Sequence, residues 1–127
     1  MQREHLLVVD DTEMNVKLLT VLLAARGYQV QSAPSAEDAA PLLASNTFAC
    51  VLLDISLPGM DGLSFARQLR CDPRYADLVI IAVTANAMKG DMEAALAAGC
   101  DAYIAKPIDT RAFPDLVAEE IAKKRRA

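Results

Sequence analysis

Five short apolar runs alternate with helix-periodic segments along this chain, the pattern of a parallel sheet covered by helices on both faces. The first run, Leu6–Val9, leads into a periodic stretch from about Glu13 to Arg26. In that stretch Met14, Leu18, Leu22 and Ala25 form an apolar stripe, and Gly27 supplies the C-cap. Tyr28–Ser32 is a weaker, more polar strand and is expected at a sheet edge. Ser35-Ala36-Glu37-Asp38 has the form of a capping box opening a second helix, whose Ala36, Ala39, Ala40 and Leu43 share a face. Pro41 inside it removes a backbone donor and predicts a kink or an early end. Cys50–Leu53 is apolar throughout, which suits a central strand. A loop of turn formers, Leu57-Pro58-Gly59-Met60-Asp61-Gly62, precedes a third helix at about Leu63–Leu69. Leu78–Val83 is the fourth strand, and an alanine-rich helix from about Lys89 to Ala98 ends at Gly99. Ala102–Ile104 is the fifth strand. Phe113, Leu116, Val117 and Ile121 mark the fifth helix, with Pro114 near its start.

Charged or hydroxyl residues close several of these apolar runs. Asp10 and Asp11 follow the first strand, Asp54 the third, Thr84 the fourth, and Lys106-Pro107 the fifth. In an open parallel sheet ligands bind beyond the carboxyl ends of the strands, where the strand order reverses. A (βα)5 unit of order 2-1-3-4-5 puts that reversal between strands one and three, the two that end in aspartates. Each residue alone has a plainer reading. Asp10-Asp11-Thr12 is a common N-cap sequence, Asp54 could form a turn, Thr84 could cap a helix, and Lys106-Pro107 could be a solvated loop. Their conjunction at one sheet edge argues for a pocket.

Three carboxylates at about 4 Å repel by about 4 kcal/mol per pair at an effective dielectric of 20. A proton or a cation relieves that repulsion. An oxygen-only donor set without histidine or thiolate selects Mg²⁺, or alternatively Mn²⁺, over zinc. A carboxylate can also serve as nucleophile, forming an aspartyl phosphate, and Asp54 stands alone at the end of the central strand for that role. Asp10 and Asp11 would then hold the metal, with the Lys106 ammonium and the Thr84 hydroxyl on phosphoryl oxygens.

Composition narrows the classes. The 127 residues fit one domain, residues 1–127, with 54% hydrophobic and 24% charged residues, enough for one core and too ordered in character for a disordered chain. Net charge is −4, so no global basic field favours nucleic acid. The one local basic cluster, Lys123-Lys124-Arg125-Arg126, is read as complementing a helix C-terminus. Cys50, Cys71 and Cys100 are odd in number and widely spaced, as reduced thiols would be, and His5 has no metal-ligand companions. Neither a signal-peptide core nor an apolar stretch near the ~20 residues of a bilayer span is present, so a cytoplasmic location with no membrane contact is expected.

Val8-Val9-Asp10-Asp11, Leu53-Asp54-Ile55-Ser56-Leu57-Pro58-Gly59-Met60-Asp61-Gly62, Val83-Thr84-Ala85 and Tyr103-Ile104-Ala105-Lys106-Pro107 together resemble response-regulator receiver domains of two-component systems. Asn15-Val16-Lys17-Leu18-Leu19 and Ala87-Met88-Lys89-Gly90-Asp91 are most similar to single-domain receivers of the polar-differentiation, cell-division and chemotaxis type, and to receivers fused to hybrid histidine kinases. The resemblance implies a flavodoxin-like three-layer α/β sandwich. It implies that Asp54 accepts a phosphoryl group from a sensor histidine kinase or a histidine phosphotransfer protein. Mg²⁺ would be bound by Asp11, Asp54 and the Ser56 main-chain carbonyl, with Asp10 acting partly through water. Lys106, joined to Pro107 by a cis peptide, would contact the phosphoryl group, and Thr84 and Tyr103 occupy switch positions. Ser56 and Asn86 sit where the family tunes water access and dephosphorylation.

The implied function is phosphorelay signalling, not enzymatic turnover beyond self-phosphorylation and autodephosphorylation. The chain stops at Ala127 without an output segment, so output is expected through protein contact at the face of helix four, strand five and helix five, by a monomer or a weak phosphorylation-dependent dimer. Two alternatives stand beside this. One is a receiver belonging to a hybrid histidine kinase. The other is an aspartate-nucleophile phosphatase of the haloacid-dehalogenase type, whose two aspartates should be two residues apart, not adjacent.

Overall fold

The three inner strands of this protein are apolar on both faces, and the structure shows why: both faces are covered. The computed structural model describes residues 4–55, 62–84, 89–105 and 108–126, positions 89–91 and 125–126 by backbone alone. In chain order the elements are β1 (His5–Val9), α1 (Glu13–Ala24), β2 (Gln29–Ala33), α2 (Ala36–Ser45), β3 (Cys50–Asp54), α3 (Gly62–Cys71), β4 (Val79–Thr84), α4 (Lys89–Ala97), β5 (Ala102–Ala105) and α5 (Ala112–Arg126). A 3₁₀ turn at Pro73–Tyr75 lies between α3 and β4. The strands form one parallel sheet of order β2-β1-β3-β4-β5, as the sequence predicts.

Alternation along the strands sorts the core into two layers. Leu7, Val9, Val51, Leu53, Ile80 and Ala82 face α2, α3 and α4, packing with Ala39, Leu43, Phe65, Leu69, Ala95 and Ala98. Leu6, Val8, Cys50, Leu52, Ile81 and Val83 face α1 and α5, packing with Leu19, Leu23, Phe113, Val117 and Ile121. β3 is central and wholly buried, while β2 and β5 are the edges. Ala95 of α4 and Ala98 just beyond it pack closely against the sheet, while Ala97 is exposed.

Local signals act as expected at most boundaries. Ser35 caps α2: its Oγ accepts from the Asp38 N–H at 3.1 Å and donates to the Asp38 carboxylate at 3.0 Å. That helix continues through Pro41 to Ser45. Gly27 and Gly99 adopt φ of +92° and +104° and end α1 and α4 in Schellman turns, with Tyr28 N–H to Leu23 O and Cys100 N–H to Ala95 O as the long closing bonds. All three cysteines are free thiols, and the His5 ring lies 4.5 Å from that of Phe48.

One expectation is corrected. Of the stripe of Met14, Leu18, Leu22 and Ala25, Leu22 packs partly against the core, but Met14, Leu18 and Ala25 do not lie on the buried face of α1. Leu19 and Leu23 are buried, with Val16 packed beside them, whereas Met14 is 80% exposed, Leu18 38% and Val21 66%. α1 therefore carries an apolar face toward the sheet and a second one toward solvent.

Candidate functional site

The parallel register carries Asp10 to the level of Asp54. Val9 pairs with Leu53 and Ala33, and the Asp10 N–H continues the ladder to Ala33 O at 3.1 Å. Asp54 is the last residue of β3 and pairs with Val83, so Thr84 stands one step further along the neighbouring strand. Thr84 in turn pairs with Ala105, the last residue of β5 before Lys106. The topology thus gathers the carboxyl ends of β1, β3, β4 and β5 at one edge, as a reversal of strand order there requires.

Three side chains at this edge are buried although polar: Asp10 at 3% exposure, Asp54 at 5% and Thr84 at 1%. Buried carboxylates are retained where they have partners or a cation. Asp10 Oδ1 accepts the Thr12 N–H at 2.9 Å, which fixes the side chain in a turn and leaves Thr12 as an N-cap without a side-chain bond. Asp10 therefore acts within the pocket and does not cap α1. Asp11 is exposed and forms the mouth. Asp10, Asp11 and Asp54 each offer a carboxylate oxygen, and these atoms lie within 4.8 Å of one another. An all-oxygen donor set at that spacing fits a hard divalent cation such as Mg²⁺.

Gly62, read from sequence only as a turn former, has a more specific role. A Cβ there would lie 2.5 Å from Ile55 Cα and 2.6 Å from Asp54 O, so the first turn of α3 sits directly against the end of β3. Only glycine permits that approach. Tyr103 lies on β5 opposite Ala82, half-buried against the α2–α3–α4 layer. Ser56, Asn86, Lys106 and Pro107, with the Lys106–Pro107 peptide bond, lie outside the described residues. Among the described residues no helix is long and apolar enough to cross a membrane.

Comparison with known proteins agrees with this geometry. A family model described as response regulator receiver domain matches residues 6–118. The polar-differentiation response regulator DivK of Brucella ovis is 38% identical over 114 residues, 90% of this chain and 93% of that protein. Among solved structures, a protein of Chloroflexus aurantiacus J-10-fl described as a response regulator is similar with a TM-score of 0.92 and 30% identity, over 95% of this chain and 99% of that one. The receiver domain of a sensor histidine kinase from Pseudomonas aeruginosa PAO1, solved with a magnesium ion coordinated in its active-site cleft, is similar with a TM-score of 0.86 and 30% identity, over 95% of this chain and 99% of that one. The chain belongs to the response regulator receiver domains, phosphoacceptor signalling domains of two-component systems that work with histidine kinases and are not themselves catalytic enzymes.

Proposed function

We propose that Asp54 is the phosphoacceptor. The observation that carries this reading is its place: a buried carboxylate at the end of the central strand, within 4.8 Å of two others. A carboxylate oxygen of Asp54 attacks the phosphorus of a donor phosphohistidine. The P–N bond breaks, an acyl phosphate P–O bond forms, and the imidazole nitrogen leaves with a proton. Asp10 and Asp11, with Asp54 and the Ser56 carbonyl, hold Mg²⁺, which when bound neutralises charge on the phosphoryl oxygens. The Pseudomonas aeruginosa receiver, with magnesium in its cleft, supports this choice over Mn²⁺. Thr84 donates its hydroxyl to the phosphoryl group and Lys106 places an ammonium on it. Tyr103 follows that rearrangement on β5, and Ser56 and Asn86 set the access of water.

The donor docks on α1. A phosphohistidine must approach across the mouth formed by Asp11, and the solvent-facing stripe of Met14, Leu18 and Val21 begins three residues further on. An apolar stripe at helical spacing suits the apolar face of a helix on the phosphodonor protein. Output uses a different face, that of α4, β5 and α5, where Met92 and Leu96 are exposed one turn apart. The haloacid-dehalogenase alternative falls with the family assignment.

Intact mass decides the central assignment. Incubation with acetyl phosphate or a phosphorylated kinase and Mg²⁺ adds one phosphoryl group, and Asp54→Asn abolishes the adduct. An adduct that survives in Asp54→Asn but disappears with Asp10→Asn would place the acceptor at Asp10 instead.

A further inference from the structure

At the end of the sheet opposite the aspartates, charges of both signs meet at the start of β5. The Asp101 carboxylate accepts from Arg70 Nη2 at 2.8 Å, from Lys124 Nζ at 2.8 Å and from the Ile80 main-chain N–H at 2.8 Å. The Asp101 N–H itself donates to Ile80 O at 2.7 Å. Ile80 is thus clasped from both sides by one residue, the carboxylate standing where a main-chain carbonyl would continue the ladder.

Arg70 extends the clasp. Its Nε donates to Gly99 O at 2.9 Å and its Nη1 to Leu78 O at 3.0 Å and Tyr75 O at 3.3 Å. Its stem lies so close beneath Gly99 that a Cβ there would meet Arg70 Cγ at 2.8 Å. Arg70 comes from α3 in one helical layer and Lys124 from α5 in the other. The two layers are joined around the sheet edge through Asp101.

We infer that Arg70, Asp101 and Lys124 are positioning residues for the phosphoryl site, acting by fixing the register of β5. β5 is a four-residue edge strand with one ladder partner, so few main-chain bonds fix its place along β4. A slip of one residue turns Tyr103 from the α2–α3–α4 layer to the other face and draws Lys106 along the strand. The inference rests on the proposed role of Lys106 at the phosphoryl group. Such a slip displaces the ammonium by about 3.3 Å, and a misplacement of even about 1 Å can cost about a hundredfold in rate. The metal-binding carboxylates lie on β1 and β3 and are not reached by the clasp.

The test separates those two ends. Asp101→Asn and Lys124→Met are compared with wild type for Mg²⁺ affinity, for the rate of phosphorylation by phosphoramidate, and for hydrogen exchange at the Tyr103 and Ile104 amides. Expected are an unchanged Mg²⁺ affinity, a phosphorylation rate down about tenfold for Asp101→Asn and less for Lys124→Met, and faster exchange confined to β5. Lys124→Met leaves the Arg70 contacts in place and carries the comparison if Asp101→Asn does not fold. Wild-type phosphorylation rates in folded variants overturn the inference. So does a parallel fall in Mg²⁺ affinity, which marks a general loss of structure. If wild type is not phosphorylated at Asp54, the proposed acceptor is wrong, and exchange at Tyr103 and Ile104 alone decides whether the clasp holds β5.

Discussion

Replacing Asp10 by asparagine removes one charge from three carboxylates held within 4.8 Å of one another. The side chain keeps its shape, and the remaining amide oxygen can still accept the Thr12 N–H that Asp10 Oδ1 accepts at 2.9 Å. The substitution therefore removes charge while keeping that hydrogen bond. At 4.8 Å and an effective dielectric of 20, the buried Asp10–Asp54 pair repels by about 3.5 kcal/mol. Water at the open mouth and counterions screen part of this, and the exposed Asp11 adds little. A net gain of about 1–2 kcal/mol in metal-free stability follows. For 127 residues the unfolding entropy is about 270 cal/mol/K, so the melting temperature should rise by about 4–7 °C.

Mg²⁺ reverses the comparison. A ligand that binds only the folded state stabilises it by RT ln(1 + [L]/Kd), about 2.7 kcal/mol at a hundredfold excess over Kd. Wild type gains this and the variant, short of one acidic group, gains less. Calorimetry or circular dichroism at low ionic strength, in EDTA and in Mg²⁺, should show the two proteins exchange rank. A variant less stable than wild type in EDTA refutes the electrostatic reasoning, and an equal gain from Mg²⁺ in both refutes Asp10 as a metal-site residue.

Three further outcomes are expected. Gly62→Ala should lose about 1–3 kcal/mol by overpacking against Asp54 and Ile55, and should slow phosphorylation of Asp54 more than an equally destabilising change in α5, measured with a small-molecule donor. Val21→Glu, at a 66% exposed position, should leave the melting temperature within about 2 °C while cutting phosphotransfer from a protein donor about tenfold and sparing transfer from phosphoramidate. In native protein a thiol reagent at pH 8 should add to Cys71 alone. Burial and then the Asp101 carboxylate push the Cys100 thiol up to about 11, burial pushes Cys50 higher still, and both sit too far from titration to supply thiolate. Intact mass should show one adduct before unfolding and three after.

What was legible in the sequence is what repeats with a short period or sits at an element's end. Buried strands declare themselves as apolar runs, and their carboxyl ends in a parallel sheet must come to one edge, so Asp10, Asp11, Asp54 and Thr84 could be assembled without coordinates. Gly27 and Gly99 were legible because a left-handed residue at a helix end favours glycine. The phase of α1 was not. Met14, Leu18, Leu22 and Ala25 satisfy helical spacing, and so do Val16, Leu19 and Leu23; periodicity says that a face is apolar but not which of two such faces meets the sheet. The clasp at β5 was not legible for another reason. Arg70 and Asp101 are 31 residues apart and Asp101 and Lys124 are 23 apart, and an ion pair at such separations has no periodic signature. Gly62 showed itself as a turn residue, but close approach to Asp54 depends on how α3 docks, which only packing decides.

The two ends of the sheet have opposite electrostatic character, and that difference bears on how a phosphoryl signal travels. At the carboxyl ends, like charges are held together, so a bound cation or phosphoryl group changes the local free energy by several kcal/mol. At the amino ends, Asp101 is matched by Arg70 and Lys124 and also accepts the Ile80 main-chain N–H, so the charges there are balanced. α4 spans the two. Its C-terminal turn at Gly99 is held by Arg70, while its N-terminus follows β4 beyond Thr84. On the roles proposed for Thr84 and Asp54, a displacement that starts there is expected as a rotation of α4 and β5 about the clasped end, not as a translation of the whole layer. A ligand shifts such an equilibrium only by its differential affinity for the two states, so a firm pivot matters: it keeps the free energy of the phosphoryl contacts from dissipating into a register slip of β5. The exposed Met92 and Leu96 lie on α4, and on this proposal a partner that reads their orientation would read the state of Asp54.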